Sequence, residues 1–395
     1  MQPGRHVLLG VSGGIASYKA CTLARRLAES GTAVDVVLTA SAAEFVRPVT
    51  FEALTGRPVR TSLWTPGQAL DHIALARSPD LVVLAPATAN LLARAAAGIA
   101  DDLLTALLLA RQGPVLAAPA MNDAMYAHPA TQANLRTLAD RGWTFIGPQA
   151  GPLAEGPSDR PGRMAEPEEI QAAVERMLKQ PASPLRGKRV VVTAGPTREP
   201  LDPIRVVSNR SSGRMGYALA AEAYARGADV TLISGPTTLP APPGVTVERI
   251  ETTADLAEAV ARHLPAADVL LMAAAPADYR PAEAATSKRA RSDGELSVRF
   301  VPTTDVLAST RALRKPGARI VGFAYETGDG PARARAKLER KGLDLVVLNL
   351  AEPGAGADVA TNRVTLVTRD GEVPGPLESK AAAAARVLDA VEHLL

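Results

Sequence analysis

"HVLLGVSGGIAS", His6 to Ser17, decides the fold. It is a short apolar run, then a Gly-Gly pair flanked by serines, then the opening of a helical period that runs from about Ile15 to Ser30. An apolar run of this length ending in a tight glycine turn ahead of a helix reads as a strand–turn–helix unit. A strand with no polar alternation is buried on both faces, as in a parallel sheet with helices on either side. The unit recurs in "AVDVVLTA" (Ala33–Ala40), "DLVVLAPA" (Asp80–Ala87) and "PVLAAPA" (Pro114–Ala120). After about residue 188 a second series begins with "KRVVVTAG". It continues through "ADVTLIS", "ADVLLMAAA", "ARIVGFA", "LDLVVLN" and "RVTLVT", and ends in an Ala-rich helix, "LESKAAAAARVLDAVEHLL".

Two series in 395 residues predict two α/β domains, at roughly 1–180 and 188–395, each a doubly wound sheet with right-handed crossovers. "QPASPLRG" (Gln180–Gly187) between them has a linker's composition. In such sheets ligands bind beyond the carboxyl ends of the strands, so the loops there carry the chemistry.

Composition narrows the function classes. Hydrophobic residues make up 47% of the chain, which excludes global disorder. A net charge of +3 argues against a general nucleic-acid binder. The single cysteine, Cys21, rules out an internal disulfide or thiolate metal centre and reads as a small core residue. The five histidines fall in no metal-ligand spacing. No apolar run is long enough for a signal or a membrane span, so a soluble cytoplasmic protein is expected.

In the first series, "GVSGGIAS" offers small residues and backbone N–H groups to an anion at a helix N-terminus. The same residues also make a plain tight βα turn, and residue chemistry alone leaves both readings open. "TAS" (Thr39–Ser41) adds hydroxyls at the same edge, followed by "APATAN" (Ala85–Asn90) and "PAMNDAMY" (Pro119–Tyr126), where Asn122 stands at a helix N-cap. His72 opens "DHIALARSPD". One stretch breaks the pattern: "GPQAGPLAEGPSDRPGRMAEP" (Gly147–Pro167) has no apolar period, which marks a functional lid or a linker.

Taken together, the Ser-Gly-Gly-Ile turn, His72, the Pro-Ala-Thr-Ala-Asn loop and the Pro-Ala-Met-Asn loop resemble the flavin-dependent cysteine decarboxylases. The resemblance implies FMN held by Ser12, Gly13, Gly14, Ile15, Thr39, Ser41, Pro86, Ala87, Thr88 and Met121. It implies His72 as active-site base, Asn122 as the clamp on a substrate carboxylate, and 4′-phosphopantothenoyl-cysteine as substrate. "GRMAEP" resembles the end of that family's substrate-covering lid, whose proton-donating cysteine is replaced here by Glu155 in "LAEG". Glu155 is therefore read either as the general acid on a closed lid or as a solvated lid glutamate, with the proton coming from water or elsewhere.

In the second series, "TAGPTREPLDPIRVVSNRSSGRMG" (Thr193–Gly216) sets arginines, hydroxyls and glycines ahead of a helix, an anion cradle by its chemistry and equally a structural loop. The phrase resembles the phosphopantothenate–cysteine ligase signature, as do "AAAPADYRP", "SK" at Ser287–Lys288, "GFAYET", "AKLERKGLDLVVLN", Asp358, Asn362 and "SK" at Ser379–Lys380. The two matches together span nearly the whole chain, in the order of the bacterial fusion enzyme of coenzyme A biosynthesis. That resemblance implies two Rossmann-like domains, CTP with Mg²⁺, and an acyl-cytidylate that the cysteine amine resolves. It assigns CTP to Asp278, Lys288, Thr303, Thr304, Asp305, Val306, Phe323, Lys337 and Lys341. Arg205, Asn209 and Ala275 fall to the acyl-cytidylate, with Lys288 also catalytic. The metal ligands are left open. Pro302 stands where that family has a lysine, which puts CTP over ATP in question. Small-molecule substrates, a homo-oligomer, no nucleic acid and no membrane complete the expectation. Two other readings follow from Glu155: an oxidative decarboxylase that releases an enethiol, or a regulatory flavin-binding module fused to the ligase.

Overall fold

The computed structural model describes residues 5–64, 70–179, 183–288, 296–326, 329–350, 359 and 361–395. The chain divides into two compact units, Met1–Leu178 and Lys179–Leu395.

The first unit contains β1 (His6–Val11), α1 (Ser17–Glu29), β2 (Ala33–Leu38), α2 (Ala40–Ala43), α3 (Pro48–Thr55), β3 (Val59–Arg60), α4 (Asp71–Arg77), β4 (Leu81–Ala87), α5 (Ala89–Ala97) and α6 (Leu103–Ala110). It continues through β5 (Val115–Pro119), α7 (Asp123–Ala127), α8 (Pro129–Asp140), β6 (Thr144–Phe145) and α9 (Pro167–Lys179). Among the described residues its strands pair in parallel in the order β3-β2-β1-β4-β5-β6. β4 is buried along its whole length and β1 over five of six positions, so the unbroken apolar runs do mark strands covered on both faces. The order reverses between β1 and β4, the switch point at which ligands bind in sheets of this kind.

The second unit repeats the plan. Its elements are β7 (Arg189–Ala194), β8 (Arg198–Pro200), β9 (Val206–Ser208), α10 (Arg214–Ala225), β10 (Asp229–Ser234), β11 (Thr246–Arg249), α11 (Thr253–His263), β12 (Val269–Met272), β13 (Tyr279–Pro281), β14 (Phe300–Pro302) and α12 (Val306–Ser309). Then come β15 (Arg319–Glu326), α13 (Gly330–Lys341), β16 (Leu345–Leu350), β17 (Thr361–Asn362), β18 (Val364–Val367), β19 (Glu372–Pro374), β20 (Glu378–Ser379) and α14 (Lys380–Leu394). The main sheet runs β11-β10-β7-β12-β15-β16-β18-β19. It is parallel as far as β16, while β18 and β19 add antiparallel, so the repeating parallel series read from sequence ends one strand early. The order reverses between β7 and β12.

Helices α10 and α14 pack side by side in one apolar cluster through Leu219, Ala220, Ala223, Ala384, Val387 and Leu388. Arg226, only 7% exposed, closes that seam with Glu222 at 3.0 Å, Asp389 at 2.8 Å and Glu392 at 3.0 Å.

Of the sequence read as a linker, Gln180–Ala182 lie outside the described residues. The remainder is no free tether: Leu185 is wholly buried in the second core and Ser183 Oγ donates to Glu392. The apolar leucine outweighs the Pro/Ser/Gly composition around it.

Candidate functional site

In the first unit the β1–α1 turn is fastened to the β4–α5 turn. Ser12 Oγ donates to the Pro86 carbonyl at 2.7 Å and accepts from the Thr88 N–H at 3.0 Å. Ser17 Oγ folds back on the Gly14 carbonyl at 2.7 Å. Thr88 caps α5 and Thr39 caps α2, with the Thr39 and Ser41 hydroxyls 3.1 Å apart. A Cβ on Gly13 would lie 2.4 Å from Ser41 Cβ, so only glycine lets the two turns approach. Ile15, 62% exposed, projects from the same turn. The result is a compact ring of hydroxyls and backbone N–H groups at the switch point, a donor set suited to a mononucleotide phosphate.

His72 lies in the first turn of α4, which leads down to the start of β4, so its position is at the same carboxyl edge. Its Nδ1 is buried and has no hydrogen-bond partner among the described residues, an unmet capacity that an incoming group would satisfy.

Asn122 caps α7 with Oδ1, which accepts from Ala124 N at 2.8 Å and Met125 N at 3.3 Å. Its Nδ2 donates to Glu155 Oε1. Glu155 comes from the stretch that lacked any apolar period. Instead of a structureless loop, Gln149 and Arg163 exchange backbone bonds of 2.7 and 3.0 Å, and Leu153 and Gly156 exchange bonds of 2.8 and 3.1 Å. A hairpin with Glu155 at its tip results. Its base is tied to α7 by Met121 N to the Gly162 carbonyl at 3.0 Å and by Ser158 Oγ to Asp123 at 2.7 Å. The Ser158 hydroxyl is the main reason the Asp123 carboxyl lies below the usual range. Beyond the hairpin, Met164 and Ala165 are buried in the core. Backbone pairing, which leaves no hydrophobic signature, holds this segment.

In the second unit a cleft of about 650 Å³ opens at the carboxyl edge. Asn209, Ala275, Asp278, Thr303, Thr304, Asp305, Val306, Phe323, Lys337 and Lys341 all line it. Asn209 Nδ2 donates to the Pro276 carbonyl at 2.8 Å, and Thr303 Oγ1 to the Ala277 carbonyl at 2.6 Å. Gly213, at φ +74°, turns the chain into α10, whose N-terminus faces the cleft. Lys337 Nζ donates to the Phe323 carbonyl at 2.6 Å. Burial pushes its ammonium below the ordinary lysine range, and Lys341 adds to the shift. Burial alone would raise the Asp305 carboxyl, yet the Lys341 ammonium at 3.1 Å, the Ala308 N–H and the Arg340 charge together hold it below the usual range.

Two expected residues are not among those lining the cleft. Arg205 is turned onto Asp202 at 2.8 Å, and Lys288 is an exposed residue bordering the undescribed 289–295. Asp358 and Thr327 lie outside the described residues. Sequence reasoning gave no role to Arg210, Asn349 or Lys380, which also line the cleft. Asn349 Oδ1 is buried there without a partner among the described residues. Its sequence signal is its place as the polar residue that closes the ligase-like phrase "AKLERKGLDLVVLN", near the end of β16. Among the described residues no group of three His, Cys, Asp or Glu could hold a metal, and no helix is long and apolar enough to cross a membrane.

Two doubly wound sheets, each with a polar cradle at its switch point, define the class of nucleotide-binding α/β proteins. Comparison with known proteins narrows this. Residues 1–179 match the "Flavoprotein" family model and residues 185–395 the "DNA/pantothenate metabolism flavoprotein C-terminal domain" model. The coenzyme A biosynthesis bifunctional protein CoaBC of Vibrio vulnificus is 45% identical, covering 99% of this chain and 98% of the relative. That of Mycobacterium tuberculosis is 48% identical over 99% of this chain and 97% of the relative. Among solved structures, the C-terminal domain of a CoaBC is 36% identical with TM-score 0.46, covering 53% of this chain and 96% of that one. The FMN-dependent cysteine decarboxylase SpaF is 33% identical with TM-score 0.40, covering 45% and 98% respectively. The chain belongs to the family of bifunctional coenzyme A biosynthesis proteins. It is an enzyme of that biosynthesis, with a ligase and a decarboxylase activity.

Proposed function

We propose that residues 1–180 form an FMN-dependent decarboxylase of 4′-phosphopantothenoyl-cysteine and residues 188–395 the CTP-dependent ligase that makes this substrate. The observation that carries the reading is the pair of cradles at the two switch points, one ringed by hydroxyls and the other a cleft lined by three lysines, Lys337, Lys341 and Lys380. In the first, Ser12, Gly13, Gly14, Ile15, Thr39, Ser41, Pro86, Ala87, Thr88 and Met121 would hold FMN. The buried, unpartnered His72 Nδ1 and the glycine-only approach of the two turns fit such a guest. The flavin supplies the redox chemistry that makes loss of CO2 possible. The chain's own groups orient the substrate: Asn122 receives its carboxylate, His72 moves a proton at the reacting centre, and Glu155 delivers the final proton.

In the second cradle Asp278, Phe323, Lys337, Lys341 and the Thr303–Val306 turn receive the triphosphate and base, with Lys288 as a further cation. Asn209 and Ala275, which line the cleft, hold the activated carboxylate. Catalysis there is positioning and charge stabilisation. Mg²⁺ would accompany the nucleotide's phosphates, as that ion usually does, with its protein ligands left open. Exposed Ile15, Tyr18, Phe45 and Val49 on the first unit support a homo-oligomer. Soluble, phosphorylated substrates suit a cytoplasmic enzyme.

The test is one incubation with 4′-phosphopantothenate, cysteine, CTP and Mg²⁺. CMP, pyrophosphate, CO2 and 4′-phosphopantetheine are expected. AMP formed equally well from ATP would overturn the nucleotide assignment, and a colourless protein that takes up no FMN would overturn the first half.

A further inference from the structure

Asn122 has no freedom to choose its partners. Its Oδ1 is committed to two backbone N–H groups of α7, so rotating the amide would uncap the helix. Nδ2 is thereby a fixed donor aimed away from the helix, and a carboxylate of the chain itself, Glu155, already occupies it. That carboxylate stands on a hairpin tip closed by the Leu153–Gly156 bridge and is exposed, so it can leave without disturbing a core. A ligand carboxylate approaching the same amide meets a like charge across one neutral group, and the two repel.

We propose that Glu155 is an internal substitute for the substrate carboxylate: it latches the hairpin tip to Asn122 in the empty site, and an incoming ligand carboxylate releases it. The inference rests on the reading that Asn122 is the carboxylate donor. Glu155 then competes with the substrate for one donor: a ligand carrying a carboxylate must displace the tip, and the displacement weakens its binding. The released carboxylate remains beside the reacting centre, where it takes up a proton from water before it serves as the acid. The product has lost its carboxylate as CO2, so Glu155 regains the amide and the latch resets.

The test uses the FMN-loaded full chain and two unreactive probes without a thiol: 4′-phosphopantothenoyl-serine, which has the carboxylate, and 4′-phosphopantothenoyl-ethanolamine, which lacks it. Calorimetric affinities are read. Glu155→Ala is expected to tighten the serine probe by about threefold to tenfold, the size of one exposed charge-assisted bond, and to leave the ethanolamine probe unchanged. Glu155→Gln, which keeps a neutral acceptor, should fall between. Asn122→Asp keeps the cap, removes the donor and should abolish the preference for the serine probe. If Asn122→Asp retains that preference, the Asn122 assignment is overturned. If the preference is lost but Glu155→Ala binds the serine probe no more tightly, or tightens both probes alike, the latch is overturned while the Asn122 assignment stands.

Discussion

The side chains of Asn122 and Glu155 meet, amide N–H to carboxylate, although 33 residues separate them in sequence. One belongs to a helix cap and the other to a hairpin tip, and the contact places an ionisable acid beside the donor proposed for the substrate. Replacing Glu155 with Gln removes the transferable proton and keeps the shape. In air, where oxygen reoxidises the reduced flavin, release of CO2 should continue, 4′-phosphopantetheine formation should slow by about a hundredfold or more, and an oxidised enethiol should accumulate in mass spectra. Unchanged phosphopantetheine formation would show that the proton comes from elsewhere.

His72 presents a buried nitrogen with nothing bound to it among the described residues. His72→Asn should lower decarboxylation by about 10²–10⁴ while the flavin absorbance per chain stays at the wild-type value. Loss of the yellow colour instead would mean that the ring is structural.

The 2.4 Å approach at Gly13 leaves no room for a methyl group. Gly13→Ala should yield protein with little bound FMN, read from the absorbance ratio of flavin to protein. CTP-dependent CMP release should be retained. A fully loaded variant would place the cofactor away from this turn.

Burial holds Lys337 below the usual lysine range, so its charge is lost at a lower pH than that of an exposed lysine. The ligase rate should therefore decline early on the alkaline side, and Lys337→Arg, which does not deprotonate, should move that decline upward. Stability has the opposite sign. Between the folded and unfolded pKa values the unfolded chain binds more protons, so this group makes stability rise with pH. A urea midpoint measured at each pH separates the two effects.

Arg226 neutralises Glu222 and Glu392 in the seam between α10 and α14. Arg226→Met leaves both carboxylates without it and should destabilise the second unit by about 3 kcal/mol. The measurement is denaturant unfolding followed by loss of CMP formation. A cost below about 1 kcal/mol would put the seam's strength in its apolar packing.

The sequence made the sheets legible because their strands are buried on both faces, which forces runs such as Leu81–Leu84 that nothing else explains. It also pointed to the loops, since the switch-point rule names the edge before any coordinate does. What it concealed was pairing. The hairpin of Gln149–Arg163 is made by backbone bonds with almost no apolar side chains, so no periodicity betrays it. The antiparallel turn of β18 against β16 is likewise invisible, because Val364–Val367 is as apolar as a parallel strand would be. Arg205 reads as a ligand from its surroundings in sequence, but the carboxylate of Asp202 three residues earlier takes it locally.

Cys21 has one more bearing on the enzyme. Burial raises its thiol pKa, and a thiol so held is a poor nucleophile toward alkylating reagents. With no second sulfhydryl anywhere in the 395 residues, the half-buried Cys21 is the one background site for maleimide chemistry, and a slowed one. Ala154→Cys, exposed and next to the latch, would therefore carry a fluorophore while Glu155 stays in place, and the hairpin's departure from the helix could be timed in real time, one turnover after another.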